Sequence, residues 1–263
     1  KKVLSGATAA FAGEPRLRRA SQWKRAVIVG DLHGSVADLC ASMDIAGAPR
    51  RHENLVVFNG DFVDRGPNST EVLVAVLALK LAFQEAVHVN RGNHEDVSLS
   101  KVYDFERELY ENFDEDGARD LLAKADQCFA AMPVAVVVND ETLVLHGHVP
   151  RTMAPLRDWN ALLPSASSVA TAHYRDSTSP EVLLLQDILW SDPEPDFGIS
   201  SLFPEANVRR GGAGVLVSDH ALKPYLRDEH LRRLVRSHEV QATGAERTDL
   251  GDGRERWTVF SCS

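Results

Sequence analysis

The residues Ala26–Gly34, AVIVGDLHG, constrain the fold more than any other stretch of this 263-residue chain. A short run of small and β-branched apolar residues that ends in glycine is typical of a buried strand. Asp31 and His33 follow where that strand would leave the sheet, and the glycines beside them let the backbone approach a bound group closely. An aspartate and a histidine two residues apart can bind one metal ion together. The stretch therefore predicts a metal-binding strand end.

The same pattern recurs twice downstream. Apolar runs at 54–59 and 86–90 end in GDFVDRG and RGNHE. Three successive strand–loop–helix units indicate an α/β sheet whose function lies at the carboxyl ends of its strands. Burying two carboxylates and a guanidinium in one turn is costly unless they are paired or bind a metal. The two loops together supply five polar candidates: Asp61, Asp64, Arg65, Asn93 and His94.

Two further histidines follow predicted strands in the second half of the chain. The runs at 133–138 and 142–145 are interpreted as paired strands, the second of which ends at His146. The run at 233–236 is interpreted as another strand, and His238 follows it two residues later. Between them, the Ser-, Thr- and Ala-rich stretch 164–180 predicts a surface insertion. We therefore expect His146 and His238 to join the same sheet edge.

Composition and charge exclude several classes of protein. The formal net charge of −9 argues against electrostatic binding of nucleic acid. No apolar run reaches membrane-spanning length and no signal-peptide pattern is present, although a chain that begins with Lys1 rather than Met is interpreted as an excerpt. Three cysteines without motif spacing suit a reducing compartment, so we expect a cytoplasmic or nuclear location. Cys40 and Cys128 are expected in helix cores.

The strand ends together offer a mixed oxygen and nitrogen donor set without thiolate, which suits manganese, iron or zinc. The six predicted ligands of this set are too many for one ion that must leave room for a substrate. They suit two ions that share a bridging carboxylate, an arrangement used for the hydrolysis of phosphate esters. Arginine side chains can form bidentate hydrogen bonds with phosphate oxygens. The predicted ligands are Asp31, His33, Asp61, Asn93, His146 and His238.

In chain order, the motifs GDLHG, GDFVDRG, RGNHE, HG, LWSDP, RRGGAG, RSHE and TVFS resemble those of the phosphoprotein phosphatase family of serine/threonine phosphatases. They are spread over Val27–Ser261, nearly the whole chain. FNGDFVDRG, NRGNHED, ILWSDP and RSHE are most similar to the EF-hand-containing, retinal-degeneration-C type branch, although the sequence holds no EF-hand. The resemblance implies a calcineurin-like metallophosphoesterase fold of the α/β class, with two mixed β-sheets packed face to face and flanking helices. This catalytic domain is expected at 26–263, after an N-terminal solvated arm or docking helix at 1–25.

The resemblance also implies a role for each site residue. Asp31, His33 and Asp61 would hold the first metal, and Asp61 would bridge to a second held by Asn93, His146 and His238. His94, oriented by Asp64, would be the general acid, while Arg65 and Arg210 would bind phosphate beside Asn93, and Asp192 would line the substrate groove. The expected reaction is hydrolysis of phosphoserine or phosphothreonine esters in proteins by a metal-bridging hydroxide. We expect two divalent or trivalent metal ions, which would be manganese in a recombinant sample. We also expect a regulatory subunit or domain that is not in this chain.

Some alternatives stay open. His148 replaces a glycine of the family pattern and could crowd the site, add a ligand or point to solvent, of which we expect the last. A diadenosine-tetraphosphatase-like enzyme would share GDxHG, GDxVDRG and GNHE, but LWSDP and RSHE favour a protein phosphatase. A non-catalytic scaffold with the same fold is the other alternative. Every predicted ligand and acid–base position is filled, which favours an enzyme.

Overall fold

The alternation of apolar runs and loops produces a β-sandwich with helices on both outer faces. The structure is a computed structural model that describes residues 1–164, 179–194 and 204–263. Most of the predicted surface insertion at 164–180 lies outside the described residues. In the part of the chain that is described, no helix is both long and apolar enough to cross a membrane.

The larger sheet has six strands in the order β1-β5-β6-β10-β12-β11. It is mixed, because β5–β6 and β11–β12 are antiparallel while its other pairs are parallel. Its strands are β1 (Leu17–Ala20), β5 (Ala135–Val138), β6 (Thr142–Leu145), β10 (Arg233–Arg236), β11 (Ala245–Gly251) and β12 (Arg254–Val259).

The second sheet, β2-β3-β4, is formed by the three apolar runs that the sequence predicts as strands. They are β2 (Arg25–Val29), β3 (Asn54–Phe58) and β4 (Val87–Val89). The predicted fold class is confirmed, with one difference: this sheet is parallel throughout its described pairs rather than mixed. A small third sheet, which the sequence did not predict, joins β7 (Asp192–Pro193), β8 (Glu205–Ala206) and β9 (Val215–Val217) in the order β7-β9-β8.

The alternation of side chains along each strand separates the core into three layers. Leu55 and Val57 of β3 face the other sheet and pack with Val136 and Val138 of β5, which makes the centre of the sandwich. The intervening residues Val56 and Phe58 of β3 pack instead against helices. β3 is therefore buried on both faces, as its unbroken apolar sequence predicts.

Helices cover both outer faces of the sandwich. One group packs on the smaller sheet: α1 (Lys2–Ala12), α2 (Val36–Ala46), α3 (Ser69–Ala82), α5 (Phe105–Asn112) and α6 (Glu115–Ala131), with the short α4 (Val97–Ser100) beside them. The other packs on the larger sheet: α7 (Leu156–Leu162), α8 (Pro180–Trp190) and α9 (Asp219–Asp228). Several begin at capping side chains, such as Ser35 of α2, whose hydroxyl accepts a hydrogen bond from the backbone of Asp38.

Of the two predicted alternatives for the N-terminal segment, a solvated arm and a docking helix, the structure shows a docked helix. Leu4, Ala7 and Phe11 of α1 are buried in the core formed with α3 and α6, and β1 pairs with β5 in the larger sheet. The basic residues that favoured the solvated arm follow α1 rather than lie in it, so they do not oppose burial of its apolar side chains; they are Arg16, Arg18, Arg19, Lys24 and Arg25. The prediction for Cys40 was wrong, since it is exposed on α2, whereas Cys128 is buried as expected.

Candidate metal centre

The predicted site residues converge at one edge of the sandwich, and both sheets contribute to it. The loops after β2, β3 and β4 come from the smaller sheet, and those after β6 and β10 come from the larger one. Tight backbone packing holds the loops together: a Cβ added to Gly60 would lie 2.4 Å from the nitrogen of Gly92. All six predicted ligands are buried: Asp31, His33, Asp61, Asn93, His146 and His238.

The first group of ligands surrounds His33. Its Nε2 lies 3.7 Å from Oδ2 of Asp31 and 3.6 Å from Oδ2 of Asp61. Its Nδ1 is 3.0 Å from the carbonyl oxygen of Val63, which accepts a hydrogen bond from Nδ1–H and leaves Nε2 free for a ligand. Within the described structure, this buried Nε2 has no hydrogen-bond partner.

The second group surrounds His146. Its Nε2 lies 3.0 Å from Oδ1 of Asn93 and 3.3 Å from Oδ2 of Asp61. Its Nδ1 is 2.8 Å from the carbonyl oxygen of Asn59, which again directs Nε2 inward. The ring of His238 is 5.1 Å from that of His146, and its buried Nε2 also has no hydrogen-bond partner among the described residues, the nearest carboxylate oxygen given for it being Oδ1 of Asp192 at 3.9 Å. Asp61 is thus shared by the two groups.

These atoms fit two metal ions. The donor atoms of Asp61, His146 and His238 lie within 4.8 Å of one another, and Nε2 of His33 lies within 3.7 Å of a carboxylate oxygen of both Asp31 and Asp61. A buried polar atom without a partner is destabilising, and a metal ion would satisfy Nε2 of both His33 and His238. Asp31 belongs to the first group through its Oδ2. Its Oδ1 accepts a hydrogen bond from the backbone nitrogen of His238 at 3.2 Å.

The pKa values of these groups reflect close packing of like and unlike charges. Burial, helped by the charge of Asp61, raises the pKa of Asp31 to about 6. Burial lowers the pKa of His33 to about 4, so that its ring is neutral near pH 7. Burial also disfavours the charged form of His146, but the carboxylate of Asp61 outweighs it and raises the pKa to about 9. A cation placed among these groups would favour the carboxylates and neutral imidazoles that metals bind.

The ligand loops adopt strained backbone conformations. His33, Asp61, Asp64, Arg65 and His238 all have positive φ angles, between 40° and 73°, although none is glycine. Such conformations cost about 1–3 kcal/mol each and cluster at functional sites, where the surrounding structure maintains them.

Glu95 supplies part of that surrounding structure, and the sequence analysis assigned it no role. Its buried carboxylate accepts hydrogen bonds from the backbone nitrogens of Asp61, Phe62 and Gly92, each at 2.8 Å. Burial and the nearby charge of Asp61 raise the pKa of Glu95 to about 7. Its position directly after His94 in RGNHE was the only signal in the sequence.

The predicted acid–base pair is assembled in the structure. Nδ1 of His94 lies 2.7 Å from Oδ2 of Asp64, and Nη2 of Arg65 lies 3.3 Å from Nε2 of His94. Burial opposes the imidazolium of His94, but Asp61 and Asp64 outweigh it and raise its pKa above the usual range. A guanidinium beside Nε2 also disfavours a metal there, which separates His94 from the ligands. The ring of Tyr103, unassigned by the sequence analysis, packs edge-on against His94 at 4.8 Å.

Arg210 and Asp192 are brought together, but not as predicted. The carboxylate of Asp192 is 1% exposed, and its Oδ2 accepts hydrogen bonds from Nε of Arg210 at 2.9 Å and Nδ2 of Asn207 at 2.8 Å. Asp192 therefore does not line an open groove; it holds Arg210. Nη2 of Arg210 donates to the carbonyl oxygen of His238 at 3.1 Å, which places the guanidinium beside the second group of ligands.

His148 is not exposed to solvent, contrary to our expectation. Its side chain is fully buried, and neither ring nitrogen has a hydrogen-bond partner among the described residues. Burial and the charges of Arg236 and Arg256 lower its pKa well below the usual range. The preceding Gly147 lies so close to α8 that an added Cβ would be 2.8 Å from the carbonyl oxygen of Ile188, and this packing encloses the loop.

Two buried asparagines, which the sequence analysis did not single out, join the sheets behind the site. Nδ2 of Asn59 donates to the carbonyl of Leu145 at 2.8 Å and to the hydroxyl of Ser237 at 2.9 Å. Nδ2 of Asn90 donates to Oδ1 of Asn59 at 2.9 Å. Asn59 and Asn90 end the apolar runs NLVVFN and VHVN, and a polar residue at each strand end was the available signal.

The fold and the site define a metallophosphoesterase. The family model for calcineurin-like phosphoesterases matches residues 24–242, and the chain belongs to that family. The resemblance to serine/threonine phosphatases that the motifs predicted is also confirmed by its relatives. The chain is 34% identical to serine/threonine-protein phosphatase 5 of Arabidopsis thaliana over 224 residues, which cover 85% of this chain and 37% of the relative.

Other relatives belong to the branch predicted from the motifs. The chain is 33% identical over 251 residues to serine/threonine-protein phosphatase rdgC of Drosophila melanogaster, with 91% of this chain and 35% of the relative covered. It therefore spans about two fifths or less of the length of these two relatives. A solved phosphatase from Saccharomyces cerevisiae with similarity to human PP5 has a TM-score of 0.80 and 27% identity, covering 99% of this chain and 76% of that one.

Proposed function

We propose that the chain hydrolyses phosphoserine and phosphothreonine esters in proteins, as the names of its relatives suggest. The observation that carries the proposal is the shared Asp61 carboxylate between two groups of buried ligands, beside an acid–base histidine and two arginines. The three free cysteines suit a cytoplasmic or nuclear location.

The ligand groups divide between two metal ions. Asp31, His33 and Asp61 would hold one, and Asp61, Asn93, His146 and His238 the other. Because the donors are oxygen and nitrogen without thiolate, manganese, iron and zinc all suit the site, and manganese is proposed for a recombinant sample. When bound, the pair would supply Lewis-acid activation of the phosphate and of an attacking water.

The chain's own side chains perform the remaining steps. Arg65 and Arg210 would donate hydrogen bonds to phosphate oxygens and offset their negative charge, with Asn93 beside them. His94 would deliver a proton from Nε2 to the departing seryl or threonyl oxygen. Oδ2 of Asp64 would accept a hydrogen bond from Nδ1–H of that ring at 2.7 Å and so fix its orientation. Arg65 must move from Nε2 of His94 toward the phosphate for this transfer.

Replacing His94 tests this assignment. We expect His94→Asn to slow hydrolysis of a phosphoserine peptide by about 10²–10⁴-fold, because the leaving alkoxide loses its proton donor. The loss should be smaller for p-nitrophenyl phosphate, whose leaving group needs little protonation. Turnover of both substrates by manganese-loaded protein measures the difference, and elemental analysis should show two metal ions per chain in both proteins.

Three outcomes would contradict these assignments. Equal losses on both substrates would show that His94 is not the acid. Wild-type protein that binds two ions but hydrolyses neither substrate would contradict the phosphatase assignment and favour a scaffold. Faster turnover of diadenosine tetraphosphate than of phosphopeptide would favour the dinucleotide alternative.

A further inference from the structure

Arg236 is a fully buried arginine that the reaction above does not use. It ends β10, and its guanidinium donates four hydrogen bonds, one to the loop that directly follows β10 and three to two other segments. Nε donates to the carbonyl of Gly147 at 2.7 Å, and Nη1 donates to Oε2 of Glu239 at 2.7 Å. Nη2 donates to the carbonyl of Ser191 at 3.3 Å and to Oδ1 of Asp192 at 2.9 Å. A buried charge persists only with such pairing.

The same Asp192 carboxylate binds a second guanidinium with its other oxygen. Oδ2 accepts a hydrogen bond from Nε of Arg210 at 2.9 Å, while Oδ1 is held by Arg236. One buried carboxylate therefore bridges two arginines, of which Arg236 is enclosed and Arg210 has a quarter of its side chain exposed. The described hydrogen bonds of Arg210 are made by Nε and Nη2, and the exposed part of the guanidinium is accessible to a ligand.

The bridge also spans the metal centre. Gly147 directly follows His146, and Glu239 directly follows His238, so Arg236 ties both ligand loops to Asp192. Arg210 in turn donates to the carbonyl of His238 at 3.1 Å. Arginine is suited to this task because its donors are fixed in one plane, whereas a lysine ammonium would satisfy fewer of the four acceptors.

From these contacts we infer that Arg236 is a positioning residue that acts through Asp192 to hold Arg210 where it binds the phosphate. The inference rests on the proposed role of Arg210 as a phosphate ligand. Arg236 does not touch the substrate; it fixes the carboxylate that fixes the guanidinium. Without it, the hydrogen bonds described for the Asp192 side chain would be those from Asn207 and Arg210, with Nε2 of His238 at 3.9 Å, and the carboxylate could turn.

The test is orthophosphate binding to manganese-loaded protein, measured by calorimetry, in wild type and in Arg236→Lys. We expect the dissociation constant for phosphate to rise about 10-fold while two metal ions stay bound. KM for p-nitrophenyl phosphate should rise similarly, with a smaller change in kcat. Asp192→Asn, a closely isosteric change, should reproduce the effect if Arg236→Lys folds poorly.

Arg151→Lys is the matched control. Arg151 also donates hydrogen bonds to a fully buried carboxylate, that of Asp187, from Nε at 2.8 Å and from Nη2 at 2.6 Å. None of the hydrogen bonds described for this pair involves a proposed site residue. The Arg151→Lys variant should have a lower melting temperature, as Arg236→Lys should, but unchanged phosphate binding. Equal weakening of phosphate binding in Arg151→Lys would assign the effect to general destabilisation and overturn the inference.

A double-mutant comparison separates positioning from a direct structural role. In an Arg210→Ala background, Arg236→Lys should change phosphate affinity by less than about 2-fold, since the residue it positions is gone. An undiminished 10-fold effect there would overturn the inference, as would unchanged phosphate affinity in Arg236→Lys alone. Wild-type protein with neither phosphate affinity nor hydrolysis would instead defeat the proposed function itself.

Discussion

At the scale of single residues, the most demanding feature is the turn that presents Asp61. Asp61 has a φ of 56°, and its carboxylate is shared between the two ligand groups. Its Oδ1 also accepts a hydrogen bond from the backbone of His94 at 2.9 Å. Glu95 accepts three backbone N–H groups from this turn and its neighbour, which offsets the strain. The position of Asp61 therefore depends on a side chain that does not itself belong to the ligand set.

Replacing Glu95 tests this dependence. We expect Glu95→Gln to weaken metal affinity by about 10–100-fold, the range typical of groups that orient metal ligands, because an amide has one accepting oxygen instead of two. Titration of metal-free protein with manganese, followed by calorimetry, measures the change.

Glu108→Gln is the matched control for that experiment. The Glu108 carboxylate likewise accepts two backbone N–H groups, those of Ser69 and Thr70, each at 2.7 Å, but it serves the start of α3. The Glu108→Gln substitution should destabilise the fold with little change in manganese affinity. If both variants lose the same affinity, Glu95 has no particular role in presenting Asp61.

At the scale of secondary-structure elements, α1 shows how strongly packing decides the role of a segment. Its sequence is mostly small and apolar, and it lacks a capping side-chain hydrogen bond and acidic residues in its first turn. An isolated helix of 11 residues is marginal in water. Its stability must therefore come from the contacts of Leu4, Ala7 and Phe11 with the core of α3 and α6.

Truncating Phe11 measures that contribution. Its side chain is 1% exposed, so Phe11→Ala should lower the free energy of unfolding by about 3–5 kcal/mol. Urea denaturation followed by circular dichroism is the measurement. Ser5→Ala on the exposed face of the same helix is the control and should change stability by less than about 0.5 kcal/mol. A loss below 1 kcal/mol for Phe11→Ala would mean that α1 does not pack as described.

At the scale of the whole molecule, stability should depend on pH through buried histidines. His88 of β4 is nearly inaccessible, and its Nδ1 has no described partner. Burial, together with the positive charges of Arg18 and Lys80, lowers its pKa well below the usual value. Because the unfolded chain protonates His88 near pH 6.5 and the folded chain does not, this residue stabilises the fold less as pH falls below that value.

The His88→Leu variant should remove this part of the pH dependence. Between pH 7.5 and 5.5, the free energy of unfolding of wild-type protein should fall by up to about 1.4 kcal/mol more than that of the variant. Urea denaturation of metal-free samples at both pH values gives the difference. Parallel pH dependence in the two proteins would show that His88 titrates normally when folded.

The amino-acid sequence by itself determined the strands and the residues at their ends. Apart from Arg25, Asn54 and His88, the residues of β2, β3 and β4 are apolar, and each strand is followed by glycine or asparagine, so the positions and ends of these strands are local properties of the sequence. Because the carboxyl ends of parallel strands share one edge, convergence of Asp31, Asp61 and Asn93 followed from the same pattern. The polar edge strand β11 (AERTDLG) gave no such signal, since most of its side chains face solvent.

Only the tertiary structure decided which polar groups are enclosed and what they contact. His148 is buried because α8, forty residues away in sequence, packs over Gly147. Asp192 holds Arg210 rather than lining a groove because Arg236, from another sheet, occupies its second oxygen. Glu95 binds a turn 33 residues upstream. Burial and electrostatic pairing depend on distances between segments remote in sequence, and local patterns do not contain those distances.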